Sequence, residues 1–283
     1  MKTLLNQAVK TLEKAGVETP KLDAEVLLAH ALGCERHELY TKNITGCQAP
    51  GDDFEKFRTY IQRRCKREPV AYIRGFKEFW SLKIKVTPAV LIPRPETETL
   101  VEKVVEILRP STGLRASGNR SGHGESSIPG HGEPVEPCTI LDLCTGSGCI
   151  AAALATELPD AQITVADISK EALDVARENL AFAKERITFI QSNLFEKIPP
   201  PSTGKFDLIV SNPPYIPSTQ ITQLFPEVSR YEPRLALDGG PDGLAFIDKI
   251  KQTAPNFLNP NGWLVLEAGS EIFIWTNSSS KGE

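Results

Sequence analysis

The sequence lacks long apolar runs and has few of the residues that form metal sites or disulfide frameworks. Nowhere in its 283 residues is there an apolar run of about 18 residues, the length needed to span a membrane. The amino terminus also lacks the apolar core of a signal peptide, so a cytoplasmic protein is expected. The six cysteines never form a C-x-x-C pair and only four histidines are present, so no metal is expected.

Positive charge is also scarce. The chain has 32 Lys and Arg against 36 Asp and Glu, a formal charge of -4, which disfavours extended contact with a nucleic-acid backbone. The basic run Arg63-Arg64-Cys65-Lys66-Arg67 is a local exception. It is typical of a solvated helix face, and a docking patch for an acidic or ribosome-associated partner is the alternative.

Four segments follow one another along the chain. Residues 1–74 carry apolar residues at helical spacing and predict a small helical domain. Residues 75–109 predict a short hairpin and a connecting helix that Thr97 can cap. In residues 110–137, Gly, Ser and Pro fill 15 of 28 positions, which predicts a disordered surface insertion. Residues 138–283 then form the largest unit.

Within residues 138–283, short β-rich runs alternate with helical runs, which predicts an α/β fold with a doubly wound parallel sheet. The predicted strands are Thr139–Leu143, Gln162–Ala166, Thr188–Gln191, Phe206–Ser211 and Trp263–Glu267. The predicted helices between them are Cys149–Glu157, Lys170–Lys184 and Gly243–Phe257. Loops at the carboxyl ends of these strands are where a ligand is expected in such a sheet.

The first strand leads into a Gly-rich turn, Cys144-Thr145-Gly146-Ser147-Gly148, and then into an Ala-rich helix. Its glycines let the backbone approach a ligand, and the start of the helix offers N–H groups. The turn is neither G-x-G-x-x-G nor a P-loop, which favours a nucleoside over a pyrophosphate.

The next two strands add ligand-binding residues of their own. Asp167 ends the second strand, about 20 residues after the glycines, where an acid accepts hydrogen bonds from ribose hydroxyls. An ordinary carboxylate at a helix start is the alternative for Asp167. The third strand is followed by Asn193 and Leu194, which can flank an adenine. Together these loops predict an adenosyl ligand.

The stretch Asn212-Pro213-Pro214-Tyr215 follows the fourth strand and indicates the chemistry. Two prolines fix the backbone and remove two N–H donors, which leaves carbonyl groups as acceptors. The Asn212 side-chain oxygen and the Pro213 carbonyl can accept both hydrogens of an –NH2 group, and Tyr215 offers an aromatic wall. This arrangement suits methyl transfer to a planar nitrogen, because holding both N–H bonds aims the lone pair at the methyl group.

These motifs resemble a known family. Asn-Pro-Pro-Tyr with the D-L-C-T-G-S-G turn is similar to the amino-methyltransferases as a class. The runs E-P-V-A-Y-I-R-G (68–75), L-I-P-R-P-E-T-E (91–98) and Y-E-P-R-L-A-L (231–237) resemble the HemK/PrmC family in particular. That family methylates the glutamine of the G-G-Q motif in peptide-chain release factors.

The resemblance implies a Rossmann-like, S-adenosylmethionine-dependent protein-glutamine N-methyltransferase, expected as a monomer, whose helical domain helps to dock the release factor. No direct contact with nucleic acid or membrane is expected. The implied cofactor contacts are the Thr145–Gly148 turn, Asp167, Leu194 and Asn212. The implied glutamine contacts are Asn212, Pro213, Pro214 and Tyr215, among which Asn212, Pro213 and Tyr215 would be catalytic.

Two departures from the family pattern stand out. Asn193 occupies a position where the family commonly has Asp. After Glu267 the family continues with a helix and a final strand pair, so the sheet here is expected to lack its C-terminal strands. Trp263–Glu267 would then be an unprotected apolar edge in a destabilised protein, since Ile272 to Trp275 could cover part of it but could not replace two strands. Three alternatives therefore stay open, namely methylation of a ribosomal-protein glutamine, methylation of a nucleic-acid amine, and an inactive truncated relative.

Overall fold

The computed structural model describes residues 2–41, 51–109, 137–199, 205–269 and 271–278 of the chain. The insertion predicted at 110–137 lies, apart from Pro137, outside the described residues. None of the helices in the described ranges is long and apolar enough to cross a membrane.

Within residues 2–41 and 51–74, five helices pack around a small apolar core of their own. They are α1 (Lys2–Lys14), α2 (Pro20–Leu32), α3 (Glu38–Thr41), α4 (Gly51–Cys65) and α5 (Val70–Arg74). Leu12, Leu27, Leu28 and Phe57 are almost fully buried at the centre of this core. Gly33 ends α2 in the left-handed conformation, where it donates its backbone N–H to His30.

A short hairpin and one long helix connect these helices to the sheet. The hairpin consists of β1 (Phe76–Phe79) and β2 (Leu82–Lys85), and the helix is α6 (Glu96–Leu108). The prediction that Thr97 caps this helix is wrong, because the helix begins at Glu96 and its Ncap position is Pro95. Thr97 lies inside the first turn, is 2% exposed, and donates its hydroxyl to Glu267 instead.

The predicted α/β fold is confirmed. In the part of the chain that the structure describes, six strands form one sheet: β3 (Thr139–Leu143), β4 (Gln162–Asp167), β5 (Ile187–Gln191), β6 (Phe206–Ser211), β7 (Leu258–Ala268) and β8 (Glu271–Thr276). The order is β5-β4-β3-β6-β7-β8, with the first five parallel and β8 antiparallel. The associated helices are α7 (Cys149–Glu157), α8 (Lys170–Asn179), α9 (Pro226–Ser229) and α10 (Ala245–Thr253).

Two of the predicted helices are shorter than expected. The helix predicted to reach Lys184 ends at Asn179, and a 3₁₀ turn over Ala181–Arg186 buries Ala183 before β5 begins. The helix predicted to reach Phe257 ends at Thr253, and a 3₁₀ turn that contains Pro255 follows it. Pro255 accounts for this end of the helix, because proline supplies no N–H to continue the i to i−4 hydrogen bonds.

The prediction that Trp263–Glu267 is an unprotected edge is also wrong. β8 pairs antiparallel with β7 over the whole segment, from Trp263 with Thr276 to Ala268 with Glu271. Gly269, at φ 67°, adopts the left-handed conformation that the chain reversal needs. β8 therefore protects the strand that carries Glu267, and its own Ile274 and Trp275 are each 44% exposed.

The strand register aligns four loops at one edge of the sheet. Leu143 pairs with Ala166 on one side and with Ser211 on the other, and Ser211 pairs with Leu266. The residue after each of these is therefore at the same level, namely Cys144, Asp167, Asn212 and Glu267. The strand order reverses between β3 and β6, which is the topological switch point where such sheets bind ligands.

Ion pairs join the helical segment to the sheet domain and use most of the basic run. Arg64, only 6% exposed, contacts Asp23 at 2.7 Å and Glu227 at 2.8 Å. Arg67 donates two hydrogen bonds to Glu227, at 2.6 and 2.8 Å, while Arg63 pairs with Glu68. Neither a solvated helix face nor an open docking patch describes these arginines, because the protein neutralises them internally.

Glu227→Gln tests this connection. The substitution leaves Arg64 and Arg67 without the carboxylate that they share, and loss of one member of a buried pair costs about 3 kcal/mol. We expect urea unfolding to show a fall of that order in the free energy of unfolding. Glu55→Gln is the matched control, because its pair with Arg58 on α4 is exposed and contributes less than about 1 kcal/mol. Equal effects of the two substitutions would contradict the inferred connection.

Candidate active site

A cavity of about 320 Å³ lies at the carboxyl edge of β3, β4 and β6. Eight of the predicted site residues line it: Thr145, Gly146, Ser147, Asp167, Asn193, Leu194, Asn212 and Pro214. The other three, Gly148, Pro213 and Tyr215, lie next to lining residues in the chain but not in the lining itself. The structure therefore brings the loops predicted for cofactor and substrate to one site.

The Gly-rich turn is held in place by a hydrogen bond to β3 and by packing against α8. Asp142, fully buried on β3, accepts a hydrogen bond of 2.6 Å from the Thr145 hydroxyl. Gly148 has φ 76°, and a Cβ there would lie 3.1 Å from the side chains of Ala176 and Leu180. Glycine at this position thus allows α7 to pack closely on α8 while the turn faces the cavity.

Asp167 is oriented by backbone donors. Its Oδ2 accepts the Gly146 N–H and its Oδ1 the Ser169 N–H, both at 2.9 Å. Burial raises the pKa of Asp167, and the backbone hydrogen bonds oppose that shift. A carboxylate offers about four lone-pair sites, so two acceptor positions remain for a ligand. Asp167 consequently couples the Gly-rich turn to the start of α8 and still faces the cavity.

The third loop contributes a backbone in an uncommon conformation. Leu194 has φ 51°, which is rare for a residue with a branched side chain, and this turns it towards the cavity wall. The Asn193 amide donates a hydrogen bond of 2.6 Å to Glu196. Asn193 is therefore oriented by its own loop and lines the cavity beside Leu194.

Asn212 is held by two side chains from distant parts of the chain. Its Nδ2 donates to Glu267 Oε1 at 2.8 Å and to Thr97 Oγ1 at 3.2 Å. The two prolines after it are buried, and Tyr215 is half-buried against the apolar cluster beneath the sheet. Burial also raises the pKa of Tyr215, so its phenol stays neutral at physiological pH.

The loop 238–243 supports Tyr215 from below. A Cβ on Gly239 would lie 2.7 Å from the Tyr215 Cα, and one on Gly243 would lie 2.3 Å from the Tyr215 carbonyl oxygen. Ile216 also donates its N–H to Leu237 and accepts that of Gly239. Positions 239 and 243 must therefore be glycine, because a Cβ at either position would collide with the backbone of Tyr215.

Glu232 connects two of the sequence motifs at the other side of the cavity. It is 6% exposed and accepts the Ile92 N–H at 3.1 Å and the Arg94 guanidinium at 2.6 Å. Burial raises the pKa of Glu232, and Arg94 opposes that shift. Glu232 thereby fixes one wall of the cavity to the 91–98 loop. That wall is formed by Pro233, Leu235 and Ala236.

Comparison with known proteins agrees with this architecture. Residues 3–75 match the PrmC N-terminal domain model and residues 133–228 match the Methyltransferase small domain model. The chain is 43% identical to the release factor glutamine methyltransferase of Geobacter sulfurreducens, over 91% of this chain and 80% of that protein. It is 40% identical to that of Rhodopirellula baltica, over 95% and 83% of the two chains. The protein of the same name from Koribacter versatilis is 37% identical, over 96% and 87%.

The chain belongs to the release factor glutamine methyltransferase family. This confirms the HemK/PrmC resemblance that the sequence motifs carried. The motif residues of this family member are now placed in space. The 68–75 and 91–98 runs meet where Tyr72 donates to the Val90 carbonyl at 2.6 Å, and the 231–237 run joins them through Glu232.

Two side chains that hold Asn212, Thr97 and Glu267, are not predicted from the sequence to do so. Thr97 was assigned only to a helix cap, and Glu267 only to the end of a strand. The signal for Glu267 was nevertheless present, since it follows the apolar run Trp263–Leu266 just as Asp167 follows the apolar end of β4. An acid directly after a buried parallel strand is placed at the ligand edge.

Asp142→Asn tests the burial of the acid beneath the Gly-rich turn. Burial raises the pKa of Asp142 from its ordinary 3.8 to about 7. Since the folded pKa is raised, wild type loses stability as pH rises between these values and loses no more above about 7. The melting temperature of Asp142→Asn relative to wild type should therefore increase from about pH 4 to 7 and then level off.

Differential scanning calorimetry across this pH range measures the difference directly. Asp160→Asn, at an exposed position after α7, serves as the control and should run parallel to wild type. A constant offset between Asp142→Asn and wild type at every pH would show that the buried carboxyl does not titrate in this range.

Proposed function

We propose that this chain transfers the methyl group of S-adenosylmethionine to the side-chain nitrogen of the glutamine in the G-G-Q motif of peptide-chain release factors. The observation that carries the proposal is the alignment of Asp167 and Asn212 at one level of one cavity. Asp167 and two residues of the Asn-Pro-Pro-Tyr segment, Asn212 and Pro214, thus line the same space. The names of the relatives support the same substrate.

The residues around the cavity fit S-adenosylmethionine. Asp167 keeps acceptor positions for two ribose hydroxyls, and its two backbone donors hold it in place. Asn193 and Leu194 form the wall that would flank the adenine, and the Thr145–Gly148 turn lets the backbone approach the ligand. When bound, S-adenosylmethionine supplies an electrophilic methyl group on a sulfonium.

The Asn-Pro-Pro-Tyr segment positions the accepting nitrogen. Asn212 Oδ1 and the Pro213 carbonyl accept the two amide hydrogens, and Tyr215 forms a wall beside the glutamine side chain. With S-adenosylmethionine bound, the nitrogen held by these residues would take the methyl group, the sulfur would leave as a neutral thioether that keeps the electron pair of its broken bond, and one N–H proton would pass to water. Catalysis rests mainly on orientation, because the nitrogen loses its proton only as it gains the methyl group.

The remaining segments have supporting roles in this proposal. We assign release-factor docking to residues 1–74, connection to residues 75–109, and catalysis to residues 138–283. The ion pairs of Arg64 and Arg67 with Glu227 hold the first segment against the third. The helical segment therefore presents its outer surface at a defined distance from the cavity.

The decisive experiment is transfer of labelled methyl from S-adenosylmethionine to purified release factor. We expect label on the wild-type factor and none on the variant with Gln→Ala in its G-G-Q motif. Ribosomal proteins and single-stranded DNA and RNA are assayed in parallel. Label on a ribosomal protein or on nucleic acid, with none on the release factor, would overturn the proposed substrate. Absence of label in every reaction would favour an inactive relative.

Asp167→Asn tests the cofactor assignment. Hydrogen bonds to a charged acceptor contribute about 1.5–3 kcal/mol each, so the loss of charge should weaken S-adenosylmethionine binding about a hundredfold. Isothermal titration calorimetry measures the dissociation constant. Asp174→Asn, on the exposed side of α8 where it pairs with Arg177, should bind as wild type does. An unchanged dissociation constant for Asp167→Asn would show that Asp167 does not bind the cofactor and is only a carboxylate at the start of a helix.

A further inference from the structure

Three side chains from separate elements meet at the wall of the cavity, which Thr97 and Asn212 both line. Asn212 follows β6, Glu267 lies near the end of β7, and Thr97 lies in the first turn of α6. The Asn212 amide donates to both of the others, and the Thr97 hydroxyl donates to Glu267 Oε1 at 3.2 Å. Thr97 and Glu267 are each 2% exposed, so water does not compete for these hydrogen bonds.

The hydrogen-bond directions in this group follow from Glu267. A carboxylate only accepts hydrogen bonds, so the Thr97 proton is drawn towards Glu267. The Thr97 oxygen is then left as an acceptor as well. Asn212 therefore faces two acceptors, and only its –NH2 end satisfies them. The reversed amide would place Oδ1 against two oxygens in a buried site, where unpaired polar contacts are costly.

From this geometry we infer that Glu267 is a positioning residue for the transfer reaction. It fixes the Asn212 amide in the one orientation whose oxygen can accept an N–H of the substrate glutamine. Thr97 assists by accepting the second N–H of Asn212. The inference rests on the proposed function, since it names what Glu267 does for that glutamine.

The stability of the fold does not account for a carboxylate at this position. Glu267 Oε2 is buried and has no hydrogen-bond partner among the described residues. Burial raises the pKa of Glu267 to about 7, which reflects the free energy needed to keep the charge there. An apolar side chain of similar volume would cost less in such a site. Orientation of Asn212 is the role that uses the acceptor-only character of the group.

Glu267→Met separates positioning from folding. Methionine has about the volume of glutamate and removes both oxygens, which frees the Thr97 hydroxyl to donate to Asn212 Oδ1 and favours the reversed amide. At pH 8 we expect the single-turnover rate of methyl transfer to release factor to fall at least about tenfold. The melting temperature should equal or exceed that of wild type. A fall in melting temperature with the rate unchanged would overturn the inference.

Two more variants sharpen the result. Leu266→Met places methionine one position earlier on the same strand, in the opposite core cluster, and should transfer at the wild-type rate. Glu267→Gln can present either an oxygen or an –NH2 group to Asn212, so about half of the molecules keep the competent amide and the rate falls about twofold. A Glu267→Gln rate as low as that of Glu267→Met would contradict an orientation effect.

The amide itself can be observed without any substrate. With 15N-labelled asparagine, the side-chain –NH2 signals of Asn212, assigned by their loss in Asn212→Ser, should exchange slowly with water in wild type. They should shift and exchange faster in Glu267→Met. Unchanged signals would overturn the inference even if methyl transfer were normal. If wild type transfers no methyl group to release factor, the proposed function fails, and this spectrum alone decides whether Glu267 orients Asn212.

Discussion

Parallel pairing of β3 with β4 on one side and β6 on the other is the constraint on which the site depends. A shift of one residue in either ladder would move Asp167 or Asn212 by about 3.3 Å and turn its side chain to the opposite face. The observed register places Leu143, Ala166 and Ser211 level with one another. The buried side chains that alternate along these strands fix this register, because each belongs to a core cluster on one face of the sheet.

Two buried carboxylates, Glu232 and Glu267, and the half-buried Glu227 make the longer connections. Glu232 joins the segment before α6 to the loop that closes the cavity, and Glu227 joins that loop to the helical segment through Arg64 and Arg67. Glu267 connects the end of β7 to Thr97 and Asn212. Each contact crosses a large separation in the chain, and each one places a wall of the cavity relative to the sheet.

Local patterns in the sequence predicted the sheet and eight of the residues that line the cavity. The Gly-rich turn, Asp167 and Asn212 can each be recognised from the local sequence, because each follows an apolar strand and has a chemically distinctive side chain or turn. Thr97 and Glu267 were missed as partners of Asn212, since they lie 115 and 55 residues away from it and no local pattern reports such a contact. The partners of the basic run were missed for the same reason, because Arg67 pairs with Glu227, which lies 160 residues away in the sequence.

The edge strand was misjudged for a different reason. Residues 272–275 are apolar and too few to suggest a complete layer, yet the turn at Gly269 lets them pair with β7 residue by residue. Backbone hydrogen bonds rather than side-chain burial define this strand, since Phe273, Ile274 and Trp275 are each more than a third exposed. A pattern based on hydrophobic alternation has little to detect in such a strand.

The ion pairs of Arg64 and Arg67 with Glu227 have a geometric consequence for the proposed reaction. They attach the helical segment to α9, which begins fourteen positions after Asn212, so the proposed docking surface lies at a fixed distance from the cavity. A protein that engages both must carry its glutamine on a protruding loop of matching reach. An isolated glutamine or a short peptide would enter the same cavity without that second point of attachment. Shape of the whole partner, more than the sequence around its glutamine, would then decide which protein is modified.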